Sequence, residues 1–390
     1  EIAQCLVGSE MCIRDRSRGM VNLYTLSLEI AHECNLNCRY CYLGAKKNKV
    51  MNSNMAKEAV DMSIKEVLKQ KDKTLDVYFI GGEPLLKFDL IKEIVEYVKT
   101  VCNNWGLNYS FSTTTNGTLL NKEIMDYLIG ERFDLKISID GKEEFHDLNR
   151  KYYSGKGSFK DILSKWELIE EYEKKLNTVI HAAQVITVNN VQGFVENFKA
   201  LVEMGFRYIE TDINKYDNWD QATKEILSQQ IEEAIDYYIS STKKGAIYYW
   251  RMFEMFLQDY FNNLPFYQCK AGANSMFITV DGVIYPCQEC KKMDIGTMTD
   301  KTININKVRQ LIHIEKTRNE KCLNCEYLAH CRAHGCVMDN MEFNNDIYKP
   351  VDINCFLTKL ILNKIDTYFT KNEKKKMEVI MQYERAISSF

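Results

Sequence analysis

Three cysteines, Cys34, Cys38 and Cys41, stand at the spacing C-x3-C-x2-C directly after an alternating run, Leu23–Ala31. Zinc sites normally collect four ligands from paired knuckles, and this trio has no local fourth partner. Three thiolates suit a [4Fe–4S] cube, each holding one corner and leaving one iron open. An open iron can take an exogenous ligand, which turns an electron carrier into a catalyst. A second field holds eight cysteines: Cys269, Cys287, Cys290, Cys322, Cys325, Cys331, Cys336 and Cys355. Its two C-x2-C pairs, taken alone, would also suit zinc knuckles. Of the 14 cysteines only Cys5, Cys12 and Cys102 stand apart. Such clustering in a long chain predicts metal ligation in a reducing, cytoplasmic compartment rather than a disulfide framework. Cys102, on an expected helix, reads as a small buried hydrophobe.

Gly81-Gly82-Glu83-Pro84 follows the second β-rich run. The glycines let backbone approach a ligand closely, and Glu83 offers an acceptor to an ammonium group. The same residues would also serve as a plain strand-to-helix turn with Pro84 at a helix start. Asn116-Gly117 and Ser138-Ile139-Asp140-Gly141 end two further runs and are equally compatible with turn chemistry. Together with this context, HECNLNCRYCY (residues 32–42) resembles the signature of the radical S-adenosylmethionine (SAM) enzymes. The resemblance implies a [4Fe–4S] cluster on Cys34, Cys38 and Cys41 with SAM on the open iron. Reductive cleavage of the sulfonium would then give a 5′-deoxyadenosyl radical. It further implies cosubstrate contacts at Tyr40, Gly81, Gly82, Glu83, Asn116 and Ser138. His146-Asp147-x2-Arg150 matches a recurrent family segment, with Arg150 equally suited to a structural ion pair.

The second field is similar to the SPASM extension of these enzymes, so the resemblance runs from Met20 to about Phe356. It implies two auxiliary [4Fe–4S] clusters. Cys269, Cys287 and Cys336 would hold the first, and Cys322, Cys325, Cys331 and Cys355 the second. Cys290 would either complete the first cluster or stand as a free thiol near the substrate. Four residues separate Cys331 from Cys336 where three are usual, which loosens the register of Cys336. SPASM proteins most often modify ribosomally made peptides or proteins. The expected activity is therefore hydrogen abstraction from a peptide or protein substrate, such as thioether or other crosslink formation. The expected reductant is a partner such as flavodoxin or ferredoxin. Anaerobic sulfatase maturation is the alternative. Those enzymes carry an aspartate base at the position of Gln288, and an amide is no base near neutral pH. Glu289 is adjacent, but neighbours on a strand point to opposite faces. A non-catalytic electron-transfer or metal-binding protein is the remaining class. No residue is assigned as catalytic acid or base, although Asp212 and Asn214 stand near the end of the sixth run.

The elements that must position these residues alternate. Strand-like runs at Leu23–Ala31, Asp76–Ile80, Tyr109–Thr115, Asp134–Ile139, Thr178–Val188 and Tyr208–Ile213 are separated by segments of helical periodicity. Six such repeats imply parallel strands with right-handed crossovers, too few for a closed eight-stranded barrel. The expected fold is α/β: a partial (β/α)6 TIM-like barrel with a small Cys-rich C-terminal SPASM domain. The expected domains are the barrel at 20–222, a helical linker at 223–265, the SPASM region at 266–360 and a helical tail at 361–390. The SPASM region reads as poor in core residues, without an extended apolar helix before Phe356, and dependent on metal for stability. Lys371–Lys376 reads as a solvated helix face.

Composition agrees with this. The 390 residues are 45% hydrophobic and 12% aromatic, enough for a buried core. A net charge of −3, from 51 basic and 54 acidic residues, argues against a nucleic-acid or membrane-surface binder. No apolar run is long enough to span a membrane. Glu1–Gly19 has no signal-peptide stretch and resembles a translated sequencing adapter, with Met20 the expected start. Cys5 and Cys12 are left out of the chemistry for that reason. With so little chain before Cys34, any leader peptide would have to be read by the barrel's helices, the SPASM region or a separate protein.

Overall fold

The computed structural model describes residues 23–262 and 264–370. The expectations for Glu1–Gly19 and Lys371–Lys376 lie outside the described residues. Six parallel strands form the frame: β1 (Tyr24–Ala31), β2 (Thr74–Gly81), β3 (Asn108–Thr115), β4 (Asp134–Ser138), β5 (His181–Ile186) and β6 (Tyr208–Ile213). Helices α1 (Ser53–Val67), α2 (Phe88–Trp105), α3 (Lys122–Gly130), α4 (Glu143–Asn149), α5 (Phe159–Leu163), α6 (Trp166–Leu176) and α7 (Phe194–Met204) connect them. Asn52 caps α1 by accepting from the Asn54 and Met55 amides, and Gly106 ends α2 in the left-handed conformation.

Alternation along the strands sorts the side chains. Leu26, Leu28, Ile30, Leu75, Val77, Phe79, Leu135 and Ile137 are buried to within 1% of completeness and form the core. Cys102 is buried there too, as expected. The other set, including Tyr78, Ser112, Thr114, Lys136, Ser138, Glu210 and Asp212, lines open space inside the curved sheet. A closed eight-stranded barrel fills that space with branched apolar residues. Here it is polar and open.

Among the described residues the sheet is not closed, and it has eleven strands rather than six. After α8 (Gln221–Lys243), the segment expected as a helical linker makes a two-residue strand, β7 (Tyr249–Trp250), parallel to β6. Helix α9 (Arg251–Phe261) follows. On the other edge β8 (Ser275–Ile278) pairs in parallel with β1. β9 (Val283–Tyr285), β10 (Gly296–Thr297) and β11 (Thr302–Ile303) extend it as an antiparallel meander. The Cys-rich region therefore continues the barrel's own sheet past Pro265. Nor is it poor in core. Tyr267, Met276, Ile278, Ile284, Ile295, Leu311, Val337 and Met338 are all buried. They are scattered over β8, β9, α10 (Ile305–Ile312), α11 (Val337–Asn344) and the turns between them, so no window shows a period. The last described helix, α12 (Asp352–Thr370), begins before Cys355 and carries it. Among the described residues no helix is long and apolar enough to cross a membrane.

Candidate active site

The loop after β1 is fixed at both flanks. His32 N–H donates to Lys49 O and Met51 N–H to Ile30 O, each at 2.9 Å. Across the loop, Asn37 N–H donates to Lys151 O at 2.6 Å and Arg39 N–H to Asn149 O at 2.9 Å. Fully buried Leu36 anchors the middle. Cys34, Cys38 and Cys41 are thereby turned to one cavity at the C-terminal ends of the strands, of about 280 Å³. In parallel α/β folds this end carries the chemistry.

The same cavity is lined by Tyr40, Gly81, Gly82, Asn116 and Ser138. The glycines have a structural reason: a Cβ on Gly82 would lie 2.1 Å from Glu33 O, and one on Gly81 2.2 Å from Ala31 O. Only bare backbone lets β2 pass so close beneath the cysteine loop. Asn116 holds the loop from the other side, its Nδ2 donating to Asn35 Oδ1 at 2.8 Å and to Cys34 Sγ at 3.8 Å. Glu83 is placed differently from the expectation. Its carboxylate is fully buried behind the glycines, accepting from Thr115 Oγ1 and Asn116 N at 2.7 Å and Leu85 N at 3.1 Å. Burial pushes it up to about 7, against those three donors. Its oxygens serve the turn, and the backbone at Gly81 and Gly82 faces the cavity.

Tyr40 is pinned by a buried ionic network. Its hydroxyl donates to Asp140 Oδ2 at 2.7 Å, and the Arg150 guanidinium grips both oxygens of the same carboxylate at 3.1 and 3.3 Å. Arg150 also lies over the Tyr40 ring, 5.1 Å from its centre, and Val185 N–H donates to Asp140 Oδ1. Arg150 therefore has the ion-pair role weighed for it while also lining the cavity.

The donor set fits an iron–sulfur cube. Burial pushes the Cys34 thiol up to about 12, opposed by the Leu36 N–H, so a bare thiolate is not the stable form there. A bound metal makes it so. Among the described residues no three His, Cys, Asp or Glu side chains converge where one ion could sit. Zinc needs such convergence, whereas a cube takes each thiol on a different iron. The second field sorts into two groups. Cys322 is coupled electrostatically to Cys355 and Cys325, and Cys331 to Cys355 and Cys322. Cys287 is coupled to Cys269, Cys336 to Cys287, and Tyr267 feels all three together with Cys290. Cys290 is fully buried and touches Glu342.

A second cavity of about 800 Å³ fills the lumen and reaches the C-terminal region, with Cys269, Cys331 and Cys336 in its wall. Deep in it, burial works against the Glu210 charge, yet Lys136, Arg251 and His181 hold its carboxyl well below the usual range. Asp212, Ile213, Lys215, Gln288 and Glu289 line both cavities and form their common wall together with Tyr78, Thr114, Ala183 and Val185. Lys215 Nζ sits 2.9 Å from Asp339 Oδ2 and 3.3 Å from Glu289 Oε2, joining the end of β6 to the C-terminal region. Glu289 and Gln288 face the same space because 286–290 is a turn. The strand alternation expected there does not apply. Lys215 and Asp339 carried no signal in the sequence, since neither belongs to a spaced motif. Asn214 lines the smaller cavity, beside Asp212.

Comparison with known proteins gives matches over both regions. Residues 28–186 match the family model of the radical SAM superfamily, and residues 269–326 match SPASM, an iron–sulfur cluster-binding domain. An uncharacterised protein of Methanocaldococcus jannaschii is 30% identical, over 78% of this chain and 96% of that protein. A cysteine-type anaerobic sulfatase-maturating enzyme of Clostridium novyi is 26% identical, over 81% of this chain and 88% of the enzyme. The solved structure of native anSMEcpe with bound AdoMet and Cp18Cys peptide superimposes with a TM-score of 0.71 at 18% identity, covering 90% of this chain and 98% of that one. At that identity the likeness is one of fold.

Proposed function

This chain belongs to the radical SAM superfamily and carries a SPASM iron–sulfur domain, and on that footing we propose that it abstracts hydrogen from a peptide or protein substrate in a maturation reaction. The enzyme class is shown by the family match. The substrate class rests on one observation: the smaller cavity opens, past Asp212, Ile213, Lys215, Gln288 and Glu289, onto a far larger lumen that combines polar and apolar side chains. A lumen lined by Ser112, Thr114, Lys136, Glu210 and Asp212 offers donors and acceptors to a peptide backbone.

The roles of the residues follow. Cys34, Cys38 and Cys41 would hold the catalytic cluster, which when bound supplies one electron and an open iron for SAM. Gly81 and Gly82 present backbone to the cosubstrate, and Ser138 and Tyr40 stand at its flanks. Asn116 and the Asp140–Arg150 pair keep the loop from shifting. Asp212, Lys215, Gln288 and Glu289 meet the reacting part of the substrate. Two auxiliary [4Fe–4S] clusters are proposed on Cys269, Cys287 and Cys336, with Cys290 as the fourth candidate, and on Cys322, Cys325, Cys331 and Cys355. So many clustered free thiols favour a reducing cytoplasmic setting.

Sulfatase maturation is the second reading, favoured by the Glu289 carboxylate at the common wall, one position past Gln288. Anaerobic reconstitution tests both. About twelve iron per chain and 5′-deoxyadenosine are expected, and both the nucleoside and about a third of the iron should vanish in Cys34→Ala/Cys38→Ala/Cys41→Ala. Persistence of the nucleoside in that variant overturns the assignment. Candidate peptides then separate the readings: an aldehyde at Cys or Ser of a sulfatase motif, captured with a hydrazide, selects the second, whereas loss of two hydrogens with no aldehyde keeps the first.

A further inference from the structure

Lys136, Lys215, Arg251 and Arg332 bring positive charge to the wall of the larger cavity. Three of them are held by carboxylates of the chain itself. Lys136 Nζ lies 2.7 Å from Glu210 Oε2, Lys215 Nζ lies 2.9 Å from Asp339 Oδ2, and Arg332 grips both oxygens of Asp259. Arg251 differs. Among the described residues its one carboxylate neighbour is Glu210, and Nη1 stands 4.0 Å from the same Oε2 that Lys136 already holds. The other Glu210 oxygen faces His181 Nδ1 at 3.4 Å. The Arg251 side chain is 44% exposed, lines the cavity, and donates no hydrogen bond among the described residues.

The fold fixes where that cation stands. β7 pairs with β6 at Tyr208–Tyr249 and Ile209–Trp250, and continuing the register puts Arg251 beside Glu210. Arg251 also opens α9, from which Met252, Met255 and Phe256 line the cavity with it. Positions 251 and 255 share a helix face, so the cation adjoins an apolar strip. An arginine keeps its charge, and its planar fork of donors matches a carboxylate through two parallel bonds. Such a pair gains strength where water is partly excluded.

Asp212, in the wall common to both cavities, follows Glu210 by two positions on β6, about 7 Å at roughly 3.3 Å per residue. Arg251 feels the Asp212 charge, yet the two form no ion pair among the described residues. An extended peptide advances by the same step. A residue reacting at the common wall therefore brings its second neighbour to the level of Arg251.

We propose that Arg251 determines specificity by holding a carboxylate of the peptide substrate, about two residues from the one that reacts. This rests on the peptide reading above and names the substrate's chemistry: an Asp or Glu side chain, or the C-terminus of a short peptide. A basic residue at that position would meet Arg251 and Lys136 and be rejected.

The test uses the reconstituted holoenzyme in two measurements. The first follows labelling of Arg251 by p-hydroxyphenylglyoxal with peptide mass mapping. Labelling should slow severalfold in N-acetylglutamate α-amide or N-acetylglutamine, each carrying one carboxylate, and keep its rate in N-acetylglutamine amide, which carries none. The second captures a random octapeptide library on immobilised enzyme, with its C-termini either free or amidated. Enrichment of Asp or Glu in both forms assigns the carboxylate to a side chain, and preference for free C-termini alone assigns it to the chain end. In Arg251→Met that selection should disappear, and the Kd of a retained peptide should rise about tenfold or more, as for one charged hydrogen-bonded pair. Arg251→Glu should select Lys and Arg instead, a gain that a damaged fold cannot produce. Equal labelling in all three additives overturns the proposal. So does retention without a carboxylate preference, or a preference that survives Arg251→Met. Should the parent retain no peptide while the carboxylates still protect Arg251, the peptide reading fails and the carboxylate site stands.

Discussion

Asp140 is fully buried and takes three partners from three parts of the chain: Tyr40, Arg150 and the Val185 amide. A buried carboxylate in that position depends on its cation. Arg150→Met should leave it uncompensated and lower stability by about 3–5 kcal/mol. Arg150→Met/Asp140→Asn, which removes the charge along with the cation, should recover much of that loss. Thermal melts of anaerobically reconstituted protein check the order, and a double variant as damaged as the sum of the singles would show the pair to be independent. Tyr40 should lose the guanidinium over its ring in both variants and its charged acceptor in the double one, so SAM should bind more weakly in each. The tyrosine was legible from its place before Cys41. Its tether was not, because a hundred residues separate Tyr40 from Asp140 and no spacing rule spans them. Glu83 shows the converse: the motif was legible, but which atoms of it face the cavity depends on a turn that only the fold fixes.

Packing between elements carries its own titration. Glu254 on α9 is 6% exposed, with Oε1 accepting from Tyr238 on α8 at 2.6 Å and Oε2 without a hydrogen-bond partner. Burial pushes its carboxyl up to about 7. An acid raised on folding stays protonated in the native state while the unfolded chain already ionises. Stability from this group is therefore lost as pH climbs from the ordinary carboxyl range to about 7, by roughly 3 kcal/mol at 1.36 kcal/mol per unit. Glu254→Gln removes the titration, so its melting temperature relative to the parent should rise between pH 5 and pH 8. Taking the difference between the two proteins cancels the pH response of the clusters. An equal difference at both pH values would show the carboxyl to be ordinary. At this scale the period-2 and helical patterns placed the six long strands to within a few residues. They failed at β7 to β11, since two to four residues show little or no period, and at residues 286–290, where a turn was read as strand.

Across the whole molecule the unforeseen feature is that one sheet serves both halves. β8 pairs with β1 from Thr25–Ser275 to Leu28–Ile278, and buried Glu29 accepts from the Val280 amide at 3.0 Å. No local pattern can announce a pairing between strands some 250 residues apart, which is why a boundary at Pro265 looked natural from the sequence. The consequence concerns autonomy. Residues 20–265 alone would expose the full edge of β1, a strand flanked by apolar core, and leave Glu29 without that donor. An open, hydrophobic edge invites pairing between copies. The fragment should therefore associate or fail to hold its share of the iron, although it contains Cys34, Cys38 and Cys41. Light scattering and iron content of the fragment beside the full chain decide this. A monomeric fragment that unfolds cooperatively and binds about four iron would mean that β1 does not need β8. In the expected case the auxiliary-cluster region is a structural wall of the barrel as well as a cap on its lumen. Loss of its metal should then be felt at Cys34 through the sheet they share.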